Sequence, residues 1–123
     1  MPVKLDTELT LAQYDPWVIK KTLQKKDLNS EIRLPAKETR DEIIGRWSNK
    51  LVIGNSVTVK LYDWDSEKTY DVSIHQDSRG YLLNLGWFLV LIDRHLKQGD
   101  TVGFYWDNID LTLNFKVLQK KIA

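Results

Sequence analysis

Few side chains in this sequence have the chemistry or the spacing of a catalytic or metal site. The chain of 123 residues contains no cysteine and two histidines, His75 and His95. The missing thiols exclude a disulfide framework, a cysteine-ligated zinc site and a thiol nucleophile. Neither histidine has further ligand-type residues at the spacing that a metal site needs. We therefore expect no metal and no cofactor.

Asp63 and Asp65, on either side of Trp64, are the one candidate pair of catalytic carboxylates. Acidic residues two positions apart and followed by Ser66 are more typical of a turn. The sequence has no glycine-rich phosphate loop and no serine-nucleophile motif. These observations predict a binding module rather than an enzyme, with a hydrolase as an alternative.

A basic segment lies within a nearly neutral chain. The formal net charge is +1, but residues 20–50 carry nine lysines and arginines against five acids. A local excess of positive charge is typical of a surface that binds a polyanion. The alternative is a solvated face of mixed charge.

The spacing of apolar residues predicts the elements that would position these charges. Apolar and polar residues alternate in four runs, 56–61, 69–75, 101–106 and 111–117, the period of half-buried strands. The polar connections 63–68, 76–80 and 107–110 have the length of hairpin turns. With two earlier runs, 17–25 and 31–34, the chain has six or seven short strands. An antiparallel sheet curled into a barrel fits this pattern.

Two short helices interrupt the strands. Pro35 suits a first helical turn, Thr39 and Glu42 have capping-box spacing, and Gly45 would end this helix early. The second helix, 86–95, places Trp87, Val90 and Leu91 on one face.

The second helix is apolar nearly all round, because it also contains Phe88, Leu89 and Ile92. Either an N-terminal arm, residues 1–14 with its alternating leucines, covers this surplus, or a protein partner such as a second copy does. We favour the arm. No apolar run approaches the roughly 20 residues of a membrane helix, so we expect a soluble, intracellular protein with one domain over residues 15–120.

Several motifs follow one another at fixed spacing over residues 81–104. Paired leucines lead into Gly86-Trp87, a short helix follows, and Leu-x-x-Gly-Asp at 96–100 precedes a strand with Val102 and Phe104. Upstream, 33–35 reads Arg-Leu-Pro before the first helix. Residues 17–118 thereby resemble the plant B3-type DNA-binding domain, in its reproductive-meristem-like or uncharacterised branch.

The resemblance implies a mainly β fold, a seven-stranded open barrel with two short helices. It also implies two loop arms that grip the major groove of double-stranded DNA. Carried over residue by residue, the first arm includes Lys25, Lys26, Ser30, Arg33 and Lys37. The second arm includes His75, Gln76, Ser78 and Arg79. The lysines suit phosphates, while Gln76 and Arg79 suit base edges.

The resemblance further implies a nuclear plant transcription factor or regulator that binds a specific DNA sequence and is not an enzyme. The alternative is a protein-interaction module on the same barrel that has lost useful DNA affinity. For Arg33, the alternative to DNA contact is an ion pair with Glu31 or with an acid of the first helix.

Overall fold

Seven strands of alternating apolar and polar residues form one sheet. The computed structural model describes residues 15–48 and 51–122. The strands are β1 (Ile19–Thr22), β2 (Ile32–Leu34), β3 (Ser56–Asp63), β4 (Lys68–Asp77), β5 (Gly80–Leu83), β6 (Thr101–Asp107) and β7 (Thr112–Gln119). Their order in the sheet is β1-β6-β7-β3-β4-β5-β2, and all neighbours are antiparallel except β3 and β7. The predicted mainly β fold, a seven-stranded open barrel with two helices, is confirmed.

The edge strands β1 and β2 come together and nearly close the barrel. The ammonium of Lys21 on β1 donates a 2.8 Å hydrogen bond to the carbonyl oxygen of Arg33 on β2. The chain between these strands forms a 3₁₀ turn, Lys25–Leu28. The chain that leads into this turn continues the pairing of β1 with β6, because Leu23 N donates to Asp100 O at 2.8 Å.

Trp87 lies at the centre of the core. Its side chain is fully buried, and its ring centroid lies 6.1 Å from that of Phe115 and 6.4 Å from that of Phe104. Burial of such side chains stabilises the fold by about 1.5–3 kcal/mol each. Its indole nitrogen donates a 3.0 Å hydrogen bond to Asp27 O. The core therefore also holds the connection between β1 and β2.

The first helix begins earlier than its capping pattern predicts. Helix α1 is Ala36–Glu42, with Pro35 as its N-cap residue. Thr39 is a buried interior residue, so the predicted capping box with Glu42 is wrong. Gly45 does not end α1 either, because it lies in a separate 3₁₀ turn, Ile44–Arg46.

Helix α2 (Trp87–Asp93) begins at a glycine that no other residue could replace without strain. Gly86 has φ +93°, and a Cβ atom there would lie 2.0 Å from Asp71 O. The helix is shorter than the predicted 86–95, because His95 adopts φ +50°. Among the described residues, no helix is long and apolar enough to span a membrane.

The strand boundaries next to both arms differ from the prediction because backbone groups pair differently from what side-chain alternation suggests. The predicted strand 17–25 contracts to β1, since Trp17 N bonds the Asp15 carboxylate and Val18 N bonds Pro16 O. The predicted loop 76–80 contracts to Ser78 and Arg79, so placing Gln76 in a loop was wrong. The backbone oxygen of Gln76 accepts a hydrogen bond from Gly54 N at 2.7 Å, and its backbone nitrogen donates one to Asn55 O at 3.1 Å.

Candidate nucleic-acid interface

The two predicted arms border one cleft on the outside of the barrel. The first arm is the connection from β1 to β2, and the second arm is the end of β4 with the turn into β5. A small cleft of about 80 Å³ lies between them, and its lining includes three predicted site residues, Lys26, Arg33 and Arg79, together with Asp27, Glu31 and Leu82. The fold thus brings basic side chains together that are up to 53 positions apart in the sequence.

The pairing register of four neighbouring strands determines which side chains lie side by side at this cleft. Arg33 on β2 is paired with Leu82 on β5, Leu82 with His75 on β4, and His75 with Ser56 on β3. Residues in one such row share a face of the sheet. His75 Nδ1 lies 2.7 Å from Ser56 Oγ, which fixes the imidazole on the outer face.

The first arm is anchored by a buried carboxylate. Asp27 is 1% exposed, and its Oδ2 accepts a 2.8 Å hydrogen bond from Gln24 N and lies 3.7 Å from Lys21 Nζ. With its backbone oxygen held by Trp87, this residue fixes the 3₁₀ turn on the barrel.

The lysines of the same turn stay available to a ligand. Lys25 and Lys26 are exposed, and among the described residues their side chains make no hydrogen bond or ion pair. Ser30 is exposed as well. The first arm therefore presents two uncompensated positive charges from a fixed backbone.

Arg33 joins the two arms. Its Nη1 and Nη2 donate to Oδ1 and Oδ2 of Asp77 at 2.8 and 2.6 Å. This bidentate hydrogen bonding raises the pKa of Arg33 and lowers the pKa of Asp77 well below its usual range. The ion pair considered for Arg33 exists, but its partner is Asp77 rather than Glu31 or an acid of α1.

The second arm separates its four predicted residues. Ser78 and Arg79 are exposed in the turn, and Arg79 N donates to Asp77 Oδ1 at 2.9 Å. Gln76 follows His75 on the strand and so lies on the opposite face. Its Oε1 is buried and has no hydrogen-bond partner among the described residues. Arg79 is thus the exposed basic side chain of this arm.

Lys37 lies apart from the cleft. It is on α1, where its ammonium bonds the carboxylate of Asp41 one turn later at 2.9 Å. That hydrogen bond raises the pKa of Lys37 and lowers the pKa of Asp41.

Three residues that position the arms were not predicted from the sequence. They are Lys21, which bridges β1 and β2, and the two carboxylates Asp27 and Asp77. A signal existed for Asp77, since an aspartate before Ser-Arg-Gly is typical of the first position of a turn. No comparable local signal marks Lys21, because its partner is a backbone oxygen 12 residues away.

Asp63 and Asp65 have the structural role that turn chemistry predicts. Asp63 is buried and accepts from Asp65 N and Ser66 Oγ. The Arg94 guanidinium bonds both carboxylates, and Lys116 bonds Asp65. In the part of the chain that the structure describes, no cluster of three or more His, Cys, Asp or Glu residues could hold a metal ion.

The sequence matches known proteins over nearly its whole length. Residues 17–118 match the family model described as B3 domain-containing protein At5g26805, C-terminal domain. The B3 domain-containing protein At1g10455 of Arabidopsis thaliana is 35% identical over 120 residues, covering 91% of this chain and 79% of that protein. The putative B3 domain-containing protein At1g51970 of the same plant is 32% identical over 112 residues, covering 87% and 90%.

Two solved structures share the fold at low sequence identity. The hypothetical Arabidopsis thaliana protein At1g16640.1 has a TM-score of 0.62 and 18% identity, covering 85% of this chain and 91% of that chain. The Arabidopsis FUS3-DNA complex has a TM-score of 0.61 and 14% identity, covering 85% and 98%.

Proposed function

Because the chain belongs to the family of B3 domain-containing proteins, as its sequence motifs predict, we propose that it binds double-stranded DNA in the major groove through the two arms. In this proposal the protein acts in the plant nucleus as a sequence-specific transcription factor or regulator. The Arabidopsis FUS3-DNA complex, which shares this fold, supports the choice of ligand.

The observation that carries the proposal is the cleft between two arms that are distant in the sequence. Lys25 and Lys26 on one side, and Arg79 on the other, form no ion pair among the described residues, although the positive charge of Arg79 also acts on Asp77 at longer range. Arg33 between them is already neutralised by Asp77. The exposed ammonium groups of Lys25 and Lys26 are suited to bind phosphates. The exposed guanidinium of Arg79, on a hairpin turn, is suited to bind the edge of a guanine.

This arrangement divides the work among the predicted residues. Lys25 and Lys26 bind phosphates, while Arg79, with Ser78 and His75, faces the bases. Arg33 is a positioning residue that holds the second arm against β2. Gln76 does not face the DNA in this proposal, because it lies on the opposite face of β4 and its side-chain amide oxygen is buried.

A salt titration of binding to duplex DNA tests the proposal. Phosphate contacts release counterions, so affinity must fall steeply as salt rises. The double variant Lys25→Ala/Lys26→Ala should reduce the slope of log K against log salt by roughly one to two. The matched control is Lys60→Ala/Lys116→Ala, which removes two lysines that do not line the cleft. Equal slopes for both double variants and the unaltered protein would contradict the proposal.

A protein-interaction module on the same barrel is a second candidate. Phe88, Leu89 and Ile92 on α2 are 52%, 57% and 51% exposed, which favours it. The predicted cover, residues 1–14, lies outside the described residues. A protein that showed no salt-dependent affinity for any duplex would favour this second function.

A further inference from the structure

An aromatic groove crosses the outer face of the sheet at β3, β7 and β6. Its volume is about 530 Å³, and its lining includes Tyr62, Trp64, Tyr105, Asp107 and Asp110. None of these residues lines the cleft between the arms. Its lining combines three aromatic side chains with six polar or charged ones, and a concave surface of this size whose polar groups can orient a ligand has the character of a binding site.

The aromatic walls are held rigidly at a steep angle. The rings of Trp64 and Tyr105 are 6.1 Å apart with an interplanar angle of 74°. Trp17, which is 8% exposed, packs edge-on against both rings at 5.2 and 5.1 Å. The Trp64 indole nitrogen donates a 2.9 Å hydrogen bond to Asn114 Oδ1, which fixes the ring orientation. The Trp64 side of this pair remains open, since that residue is 45% exposed.

The lining of the groove contains two acids, Asp107 and Asp110, and one lysine, so its net charge is negative. Asp107 Oδ1 accepts from Ile109 N at 2.9 Å and from Asp110 N at 3.1 Å. Among the described residues, Asp107 Oδ2 has no hydrogen bond, and neither Asp107 nor Asp110 forms an ion pair. The one cation of the lining, Lys60, is bonded to Asp71 at 2.6 Å.

We propose that this groove binds the cationic side chain of a lysine or arginine from a basic segment of a partner protein. Aromatic faces attract a cation through their ring quadrupoles. The two carboxylates then complement the same charge, whereas they repel the phosphates of DNA. The groove is therefore a protein-docking site that can be occupied while the arms hold DNA.

The test is NMR titration of the whole chain with short Gly-Ser peptides that carry three lysines, three trimethyllysines, three arginines or three glutamates. We expect the indole signal of Trp64, assigned with Trp64→Phe, to shift with at least one cationic peptide and not with the glutamate peptide. The lysine and trimethyllysine peptides distinguish a site dominated by hydrogen bonding from one dominated by the aromatic walls. Shifts confined to the first arm, or equal shifts with the glutamate peptide, would overturn the proposal.

A second experiment uses variants in which acids are replaced by amides of the same shape, which remove the negative charge and preserve the fold. Asp107→Asn/Asp110→Asn should weaken the affinity for the cationic peptide by about three- to tenfold. The matched control is Glu38→Gln/Glu67→Gln, two exposed acids outside the groove with no ion pair among the described residues. DNA affinity should not fall in either variant, which separates this inference from the proposed function. Equal peptide affinities in the two double variants would overturn it.

Discussion

Arg33 on β2 and Asp77 at the end of β4 form a bidentate ion pair that crosses the intervening strand β5, with N–O distances of 2.8 and 2.6 Å. The arginine belongs to the strand that leaves the first arm, and the aspartate precedes the turn of the second arm. Planar guanidinium and carboxylate groups paired in this way fix relative orientation as well as distance. The spacing between the two arms is therefore set inside the protein, before any ligand binds.

Loss of this pair should make the protein less stable in a pH-dependent way. The folded-state pKa of Asp77 is lowered, first by the hydrogen bonds from Arg33 and then by the one from Arg79 N. A carboxyl group with a lowered pKa in the folded state stabilises the fold at any pH above its unfolded-state pKa of about 3.9. This contribution is lost as the pH falls through the folded-state pKa. We expect Asp77→Asn to melt below the unaltered protein at pH 7, and the difference to shrink below about pH 4.

Thermal melting at pH 7, 5, 3 and 2 measures this effect. The control is Asp71→Asn on the same strand, whose ion pair with Lys60 is 61–66% exposed and should matter less. A melting difference for Asp77→Asn that stayed undiminished at pH 2 would argue against the assignment.

Gly86→Ala should destabilise the protein through two separate causes. The residue has φ +93°, which is strained for any side chain, and its Cβ atom would lie 2.0 Å from Asp71 O. We expect a loss of about 2 kcal/mol or more in the free energy of unfolding. Gly54→Ala isolates the first cause, because φ there is +91° but no atom lies within 4 Å of the added Cβ. Denaturant unfolding should show a clearly smaller loss for Gly54→Ala, of about 1–2 kcal/mol, and equal losses would exclude the clash.

The sequence predicts the sheet well because side-chain alternation follows burial. Leu113 and Phe115 on β7 are fully buried, as period-two spacing predicts. The same logic fails at Gln76, where a polar side chain suggests a loop although its backbone pairs in the sheet. The capping prediction fails at Thr39 for a different reason. Its spacing to Glu42 fits a capping box, but the helix already begins at Ala36, so Thr39 lies inside it.

The candidate site was only partly predictable, because its decisive contacts depend on strand order. Asp77 is 44 residues from Arg33 and becomes its neighbour only when β5 lies between β2 and β4. The role of Lys21 likewise depends on the closure of the sheet. The exposure of Arg79 was predictable, since it lies in a short polar connection, whereas Lys25 was predicted as the last residue of a strand and lies instead, with Lys26, in the 3₁₀ turn.

The apolar surface of α2 should be tolerant of polar substitution. Phe88, Leu89 and Ile92 are each about half exposed, whereas Leu91 on the same helix is 6% exposed. In the chain without residues 1–14, replacing any of the three by Gln should change the free energy of unfolding by about 0.5 kcal/mol or less. Leu91→Ala should cost about 2–5 kcal/mol. Denaturant unfolding distinguishes these outcomes.

Removal of residues 1–14 tests whether that surface is covered. If they shield it, deletion should lower solubility or produce dimers, as measured by size-exclusion chromatography with light scattering. The same deletion combined with Gln at positions 88, 89 and 92 should stay monomeric, because the exposed surface is no longer apolar. A deletion that stays monomeric and equally soluble without the Gln substitutions would contradict this prediction.

Arg79 should determine sequence preference, whereas the lysines of the first arm should not. Its side chain is exposed on a two-residue turn and makes no hydrogen bond or ion pair among the described residues. A guanidinium in the major groove contacts guanine O6 and N7 together, so Arg79→Ala should cost about 1–3 kcal/mol on a site selected from random duplexes. The loss on a scrambled duplex should be smaller. Lys25→Ala/Lys26→Ala should weaken the affinity for both duplexes about equally, because phosphates carry no sequence information.

Paired titrations of each variant against the selected and the scrambled duplex measure this difference, with thermal melting to verify that the fold is intact. Equal losses on both duplexes for Arg79→Ala would assign this residue to the phosphate backbone, and unchanged affinity in both variants would show that these arms do not contact DNA.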